Sequence, residues 1–325
     1  MRPPGPPFRP DGSGARATRV LVYTHEDCAR HVTPPGHPER VERLAAVERG
    51  LAGLTLARRD CPMGEEADVL RCHPRSYLEK VRRAVPGEGW VALDGDTILS
   101  PGSLDAALRA VGGICAAVDA VMAGEAKAAF VAARPPGHHA ETATAMGFCL
   151  FGTVAIAAKR LLDHHGLARV AVVDFDVHHG NGTQDLLWDE GRVLFASTHE
   201  MPLYPGTGST GERGAHGQIV NVPLRAGSGG AAMRAAYEDV ILPALEAFAP
   251  EFVLISAGID AHAADPLANL EGQAADYEWL TGRLCDVAAR HAGGRVVSTL
   301  EGGYDLEALA ASVAAHVGVL EERSR

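Results

Sequence analysis

Two carboxylates and two imidazoles stand close together in the segment Val172–Gly182, VVDFDVHHGNG. Asp174 and Asp176 follow apolar residues, and His178 and His179 precede a Gly-Asn-Gly turn. Alternate residues of an extended chain point to the same side, so Asp176 and His178 could bind one divalent metal ion if another strand supplied a third ligand. The alternative is that the acids cap the following helix and the histidines lie at the surface.

Three further segments place polar residues directly after a short apolar run. They are RPPGHHA at Arg134–Ala140, AGID at Ala257–Asp260 and EGGY at Glu301–Tyr304. The carboxyl ends of parallel strands share one edge of a sheet, so these side chains could converge there, with Asp260 as the third metal ligand. Two carboxylates and one imidazole beside an open position suit catalytic Zn²⁺, and Fe²⁺, Co²⁺ or Mn²⁺ could compete for the site.

The remaining polar groups suit acid–base chemistry. His138 and His139 could receive a proton from water and return one to a leaving amine. Asp174 needs a partner if it is buried, and it could accept a hydrogen bond from one of these imidazoles and select its tautomer. Tyr304 could donate a hydrogen bond to a substrate carbonyl. Taken singly, the histidines are compatible with an exposed turn and the tyrosine with a packing role.

The elements that must position these residues alternate along the chain. The predicted strands are Arg19–Tyr23, Ala128–Ala132, Arg169–Phe175, Val193–Ser197, Ile219–Val222, Phe252–Ser256 and Arg295–Leu300. The predicted helices are Glu39–Gly50, Ser103–Met122, Thr153–His165, Gly230–Phe248, Ala274–His291 and Leu306–Leu320. Apolar strands separated by helices indicate a single-domain, doubly wound α/β fold with a mostly parallel sheet over residues 18–325. Residues 1–17, rich in Pro, Gly and Arg, are expected to be a disordered leader.

Composition argues against several classes of protein. The formal net charge is −11, whereas direct nucleic-acid binding needs clustered Lys and Arg. No apolar run approaches the about 20 residues of a membrane helix, and the amino-terminal segment lacks the apolar core of a secretion signal. The 6 cysteines are scattered and form no CxxC pair, which indicates free thiols and a cytoplasmic protein.

The motifs together resemble the histone deacetylase superfamily, in particular bacterial class II-like histone deacetylases and acetylpolyamine amidohydrolases. The motifs are HPERVERL at His37–Leu44, RPPGHHA at Arg134–Ala140, GFCLF at Gly147–Phe151, DFDVHHGNGTQ at Asp174–Gln184, YPGTG at Tyr204–Gly208, SAGIDAHAADPL at Ser256–Leu267 and LEGGYDLE at Leu300–Glu307. The resemblance implies an arginase-like α/β fold and zinc-dependent hydrolysis of an acetylated amine. The implied substrate is an acetyl-lysine protein or peptide, or alternatively an acetylpolyamine, and a homo-oligomer is compatible with it.

The resemblance also implies a role for individual residues. The metal ligands would be Asp176, His178 and Asp260. The catalytic groups would be His138, His139, Tyr304 and Asp174, with His139 as general base and acid. The substrate tunnel would be lined by Gly147, Phe148, Tyr204 and Leu267. A structural potassium ion would be held by Asp174, Asp176, His178, Ser197 and Thr198.

Differences from the family pattern bear on the substrate. Tyr204 stands where Phe is usual, so its hydroxyl could alter the acyl preference. Leu267 stands where a polyamine-specific enzyme would carry a carboxylate, which favours acetyl-lysine, although the acidic net charge would attract either polycation. Asp94 or Asp96 is a candidate for a carboxylate at the rim, and Cys28–Glu39 is a candidate rim loop.

The last hypothesis is a catalytically silent protein that binds acyl chains. The complete set of three ligands, two histidines and one tyrosine argues against it. Asn181 matches the class II pattern of the family. Class I proteins usually carry Asp at this position. His179 has no assigned chemistry, and we expect it to make a structural hydrogen bond.

Overall fold

The centre of the molecule is one sheet of eight strands in which all neighbouring strands are parallel. The structure is a computed structural model that describes residues 20–325. The expected leader, 1–17, lies outside the described residues. Across the sheet the strands are Ala57–Asp60 (β2), Val20–Thr24 (β1), Ala128–Val131 (β5), Val296–Leu300 (β10), Phe252–Ala257 (β9), Val170–Asp174 (β6), Val193–Glu200 (β7) and Ile219–Leu224 (β8). Val91–Ala92 (β3) and Ile98–Leu99 (β4) form a separate antiparallel ribbon.

Helices cover both faces of the sheet. They are Glu42–Leu51 (α1), Glu66–Val69 (α2), Arg75–Ala84 (α3), Ser103–Met122 (α4), Thr153–Asp163 (α5), Asn181–Leu187 (α6), Gly230–Ala236 (α7), Leu242–Phe248 (α8), Ala274–His291 (α9) and Leu306–Arg323 (α10). A short 3₁₀ helix spans Glu26–Arg30, and a π-helical turn, Tyr237–Ile241, joins α7 to α8.

Each central strand contributes to two apolar cores, because its side chains alternate between the faces. Leu21 and Leu254 belong to the core beneath α4 and α5, whereas Val22 and Val253 belong to the core beneath α1, α9 and α10. This arrangement explains why the strand sequences are apolar throughout. The predicted doubly wound α/β fold is confirmed.

The order of the strands brings four strand ends together. The chain passes from β5 to β6 and leaves a gap between them, which β9 and β10 fill later. The strands β5, β10, β9 and β6 are therefore consecutive neighbours, and their carboxyl ends lie along one edge of the sheet. These are the four strands that precede the polar segments identified in the sequence.

The predicted elements are present, with some differences at their boundaries and some omissions. The predicted helix Gly230–Phe248 is interrupted, since the π-helical turn divides it. The Gly-Asn-Gly segment is no simple turn, because Asn181 begins α6. The strand Ala57–Asp60 was missed because its sequence, ARRD, is polar and mostly exposed at the sheet edge. Among residues 20–325, no helix combines the length and hydropathy that a bilayer span needs.

Candidate active site and metal centre

The three predicted metal ligands meet at the carboxyl ends of β6 and β9. His178 Nδ1 lies 3.1 Å from Asp176 Oδ1 and 3.2 Å from Asp260 Oδ2. All three side chains are buried, and their candidate ligand atoms lie within 4.8 Å of one another. As the sequence spacing predicted, Asp176 and His178 face the same side. Asp260, which follows the neighbouring strand β9, lies beside them.

Backbone groups hold the two carboxylates in place. Asp260 Oδ1 accepts a hydrogen bond from Val177 N at 2.9 Å, and Asp176 Oδ2 accepts one from Gly302 N at 2.8 Å. Gly258 and Gly302 approach the carboxylates so closely that a Cβ at either position would collide with Asp176 or Asp260. Glycine is required at both positions because of this approach.

The chemistry of this set of donors fits a divalent cation. Two buried carboxylates need a positive charge between them, because desolvated anions repel each other strongly. Burial opposes the charged form of His178, but the hydrogen bonds to Asp176 and Asp260 raise its pKa to about 10. The two carboxylates therefore favour positive charge at Nδ1 of His178. Oxygen and imidazole donors with three protein ligands are typical of catalytic zinc, and also suit Fe²⁺ or Co²⁺.

A second group of possible metal ligands lies at the surface. Asp119, His164 and His165 bring their ligand atoms within 4.8 Å of one another. However, both oxygens of Asp119 already accept hydrogen bonds from Arg160, at 2.9 and 2.7 Å. The guanidinium supplies the positive charge here, so this cluster is less suited to a metal ion than the buried one.

His138 is held between carboxylates behind the metal centre. Its Nδ1 lies 3.0 Å from Asp174 Oδ2, and its Nε2 lies 3.7 Å from Asp176 Oδ2. Burial opposes the charged form of the imidazole, but these two carboxylates hold the pKa of His138 well above its usual range. Asp174 was predicted to accept a hydrogen bond from one of the two imidazoles, and that imidazole is His138.

His139 has a neutral partner instead. Its Nδ1 lies 2.7 Å from Asn181 Oδ1, at the start of α6. Burial and the neighbouring charges of His138 and His178 hold the pKa of His139 well below its usual range. The two adjacent imidazoles thus have opposite electrostatic preferences, as expected for groups with different roles in proton transfer.

Tyr304 also lies at the site and is anchored through its backbone. Its N–H donates to Asp265 Oδ2 at 2.7 Å, and the carbonyl of Gly303 accepts from Arg43 Nε at 2.7 Å. The Arg43 guanidinium also lies 5.0 Å from the centre of the Tyr304 ring. Burial and the carboxylate of Asp260 raise the pKa of Tyr304 well above its usual range, so the phenol stays protonated.

A cavity of about 430 Å³ opens onto these groups. Three of the predicted chemical residues line it, namely His139, His178 and Tyr304, whereas His138 and Asp174 lie behind it. All four residues predicted for the tunnel also line it, namely Gly147, Phe148, Tyr204 and Leu267. The other walls are Pro34, His37, Pro38, Gly95, Asp96, Ile98 and Leu203.

The structure distinguishes between the two candidate rim carboxylates. Asp96 lines the cavity. Asp94 Oδ1 instead accepts hydrogen bonds from Asp96 N and Thr97 N, at 3.0 and 2.6 Å, and so caps its own turn. The candidate rim loop contributes Pro34, His37 and Pro38 to the cavity wall.

The residues suggested for potassium lie around the carboxyl ends of β6 and β7. Asp174 is paired with Ser197 in the register of the sheet, and Ser197 and Thr198 are buried. His179 lies outside the cavity and makes structural contacts, since its Nδ1 lies 2.7 Å from Thr207 Oγ1 and its Nε2 lies 3.1 Å from Gln184 Oε1. These contacts hold the loop that follows Tyr204.

Sequence reasoning missed a buried acid that shapes the site. Glu301 accepts hydrogen bonds from Gly137 N at 2.7 Å, His138 N at 3.1 Å and Ser256 Oγ at 3.0 Å. Burial raises the pKa of Glu301 to about 7. Glu301 directly follows β10, and β10 pairs with β5, the strand that precedes RPPGHH. This position in the sequence could have identified Glu301 as part of the site.

Comparison with known proteins identifies the family to which this chain belongs. Residues 37–320 match the family profile described as Histone deacetylase domain. The chain belongs to the histone deacetylase family, and it is a hydrolase of that family.

Similar proteins extend over most of the chain. The histone deacetylase-like amidohydrolase of Pseudomonas aeruginosa is 42% identical over 285 residues, which cover 84% of this chain and 74% of that protein. A probable deacetylase of Archaeoglobus fulgidus is 39% identical over 295 residues, which cover 88% of this chain and 81% of that protein. Among solved structures, the HDA15 HD domain matches with a TM-score of 0.88 and 33% identity, and the match covers 94% of this chain and 90% of that one. The predicted family is confirmed.

Proposed function

We propose that this protein is a zinc-dependent hydrolase that removes acetyl groups from acetyl-lysine in proteins or peptides. The observation that carries the proposal is the cavity that ends at His139, His178 and Tyr304. A carbonyl at its end would lie among a metal site, a neutral imidazole and a protonated phenol. This combination suits hydrolysis of an amide.

Asp176, His178 and Asp260 would hold the metal. Zinc bound there would polarise the acyl carbonyl and lower the pKa of water. The buried carboxylates, held by backbone N–H groups, would keep the donor atoms in place while the substrate enters. Zinc-dependent chemistry is general in this family, which supports the choice of metal.

The side chains around the carbonyl would divide the proton transfers. His139, whose Nδ1 is bonded to Asn181, would accept a proton from the attacking water at Nε2. Tyr304 would donate a hydrogen bond to the acyl oxygen as negative charge develops there. As the C–N bond breaks, the proton passes from His139 to the amine, and the products are acetate and a free amine. His138, held by Asp174, would provide positive charge next to the reacting groups.

The walls of the cavity favour a lysine side chain over a polyamine. Leu267, Leu203 and Phe148 would surround the methylene groups of an acetylated lysine. Among the cavity-lining residues in the described part of the chain, Asp96 is the only carboxylate. It would accept hydrogen bonds from the backbone amides of the substrate. The hydroxyl of Tyr204, beside His139 with ring centroids 5.2 Å apart, would restrict the acyl group.

Two further parts of the proposal concern ions and location. A structural potassium ion would bind among Asp174, Asp176, His178, Ser197 and Thr198, which offer carboxylate, hydroxyl and carbonyl oxygens. All six cysteines are buried free thiols, which fits a reducing compartment, and we place the protein in the cytoplasm.

The proposal is tested by acetate release from an acetyl-lysine peptide with the zinc-loaded protein. Tyr304→Phe and His139→Ala should each lower kcat by about 10²–10⁴-fold, because each removes a group that acts on the transition state. Zinc content, measured by atomic spectrometry, should remain unchanged, since neither residue is among the proposed ligands.

Tyr23→Phe provides a matched control, because the Tyr23 hydroxyl bonds to the carbonyl of Ala116, remote from the cavity. It should retain full activity. A Tyr304→Phe variant as active as the wild type would contradict the role of the phenol.

A further inference from the structure

We propose that Glu141 sets the tautomer of His139 through the side-chain amide of Asn181. In this arrangement Glu141 is a positioning residue: it orients the amide, and the amide makes Nδ1 of His139 the protonated nitrogen. The lone pair at Nε2 then faces the cavity. The inference rests on the proposed function of His139 as general base.

The contacts form a continuous chain from a partly exposed carboxylate to the buried imidazole. His139 Nδ1 lies 2.7 Å from Asn181 Oδ1. On the other side of the amide, Asn181 Nδ2 lies 2.8 Å from Glu141 Oε1 and 3.3 Å from Met146 Sδ. Asn181 is only 5% exposed, so its orientation is decided by these protein groups and not by bulk water.

The partners of the amide decide which end faces the imidazole. A carboxylate and a thioether can only accept hydrogen bonds, so the NH₂ group of Asn181 must point toward Glu141 and Met146. The amide oxygen then faces His139, and Nδ1 must carry a hydrogen to donate to it. If the amide were rotated by 180°, its NH₂ group would face Nδ1, the hydrogen would move to Nε2, and the cavity would face a nitrogen without a lone pair.

The neighbouring imidazole needs no such control. His138 Nδ1 faces the carboxylate of Asp174 directly at 3.0 Å, and a carboxylate accepts in either orientation. Asn181 is a neutral group with one donating and one accepting end, so the selection must come from its other partners. Glu141 is held for this task in a tight turn, where its N–H and carbonyl both bond to the backbone of Thr144.

A cycle of three variants tests the inference with the zinc-loaded protein. Glu141→Gln keeps the size of the side chain but can present either end to Asn181, so kcat should fall about tenfold while KM stays the same. Asn181→Asp keeps an acceptor on Nδ1 of His139 but places two carboxylates side by side, and their repulsion should lower kcat about tenfold. In the double variant, the introduced glutamine can donate to the introduced aspartate, which accepts from His139, and kcat should return to within about threefold of the wild type.

The control is Asp185→Ala. Asp185 accepts hydrogen bonds from Thr142 N and Oγ1, at 2.8 and 2.7 Å, so this variant loosens the same turn without changing the partners of Asn181. It should retain the wild-type kcat. A loss equal to that of Glu141→Gln would show that only the order of the turn matters, and would overturn the inference. The inference also fails if Glu141→Gln is fully active or if the double variant is no better than either single variant.

The tautomer itself is observed by ¹⁵N NMR of the histidine-labelled, zinc-loaded protein, with His139→Ala used for assignment. In the wild type, His139 should be protonated at Nδ1, and Glu141→Gln should shift a measurable fraction to Nε2. Protonation at Nε2 in the wild type would overturn the inference. The NMR measurement of the tautomer does not require turnover. Absence of turnover in the wild type would therefore refute the proposed function without deciding the tautomer of His139.

Discussion

Single residues in this site act through partners that fix their charge or orientation. His138 has a carboxylate on Nδ1, and His139 has an amide. The pKa of the first is therefore held well above its usual range, while burial holds that of the second well below it. Motifs in the sequence predicted the two histidines, but their different hydrogen-bond partners, Asp174 and Asn181, come from other parts of the chain.

At the same scale, Leu267 is expected to control the choice between lysine and polyamine substrates. Leu267→Glu would add a second carboxylate to a cavity wall that already carries Asp96. We expect kcat/KM for N-acetylspermidine to rise about fivefold and that for an acetyl-lysine peptide to fall, because a partly exposed charge pair contributes about 1 kcal/mol. Steady-state kinetics on both substrates provides the measurement.

Leu267→Gln is the matched control for this change. It has the size of the glutamate but no charge, so it should lower activity on the peptide without raising activity on the polyamine. Equal effects of the two substitutions would show that shape, and not charge, sets the preference.

At the scale of elements, the sequence predicted most strands and helices because the buried ones have a clear apolar pattern. It also predicted which strand ends bring polar side chains together. It could not predict that β5, β10, β9 and β6 are neighbours, because that order results from long crossovers whose pairing is decided by packing across the whole sheet. The arrival of Asp260 beside Asp176 was thus an expectation from the general rule for parallel sheets.

Polar supporting residues were harder to predict than the reacting groups. Arg43 is fully buried and donates to the carbonyls of Gly303 and Glu301, yet in the sequence it is one of several charged residues in HPERVERL. The ribbon of β3 and β4 was also missed. Trp90, directly before it, donates to the carbonyl of Val32 at 2.8 Å and so ties the ribbon to the rim loop. Contacts of this kind join distant parts of the chain and have no local pattern.

At the scale of the whole molecule, buried titratable groups couple stability to pH. Burial lowers the pKa of His316 to about 3, and its ring bridges Thr281 Oγ1 and Ser298 Oγ at 2.6 and 2.8 Å. In the unfolded chain an imidazole has a pKa of about 6.5, so the unfolded state binds more protons below that pH. The contribution of His316 to the free energy of unfolding therefore falls as the pH falls below about 6.5.

The contribution of His316 to the pH dependence of stability is measured by comparison with a variant, because other buried groups also titrate. Burial raises the pKa of Glu301 and of Asp265 to about 7, and these acids change stability with pH in the opposite direction. Between pH 7 and pH 5, the wild type should lose about 2 kcal/mol relative to His316→Gln, as measured by urea unfolding. His164→Gln, at an exposed imidazole, is the control and should follow the wild type. Parallel pH profiles for the wild type and His316→Gln would contradict the prediction.

The most direct test of the central claim is acetate release by the wild-type protein after removal and restoration of zinc. An acetyl-lysine peptide and N-acetylspermidine should be compared side by side. We expect no turnover without metal, recovery with zinc, and a kcat/KM about tenfold or more higher for the peptide, since Phe148, Leu203 and Leu267 line the cavity. A zinc-loaded protein that hydrolyses neither substrate would contradict the account, and a preference for the polyamine would contradict its assignment of substrate.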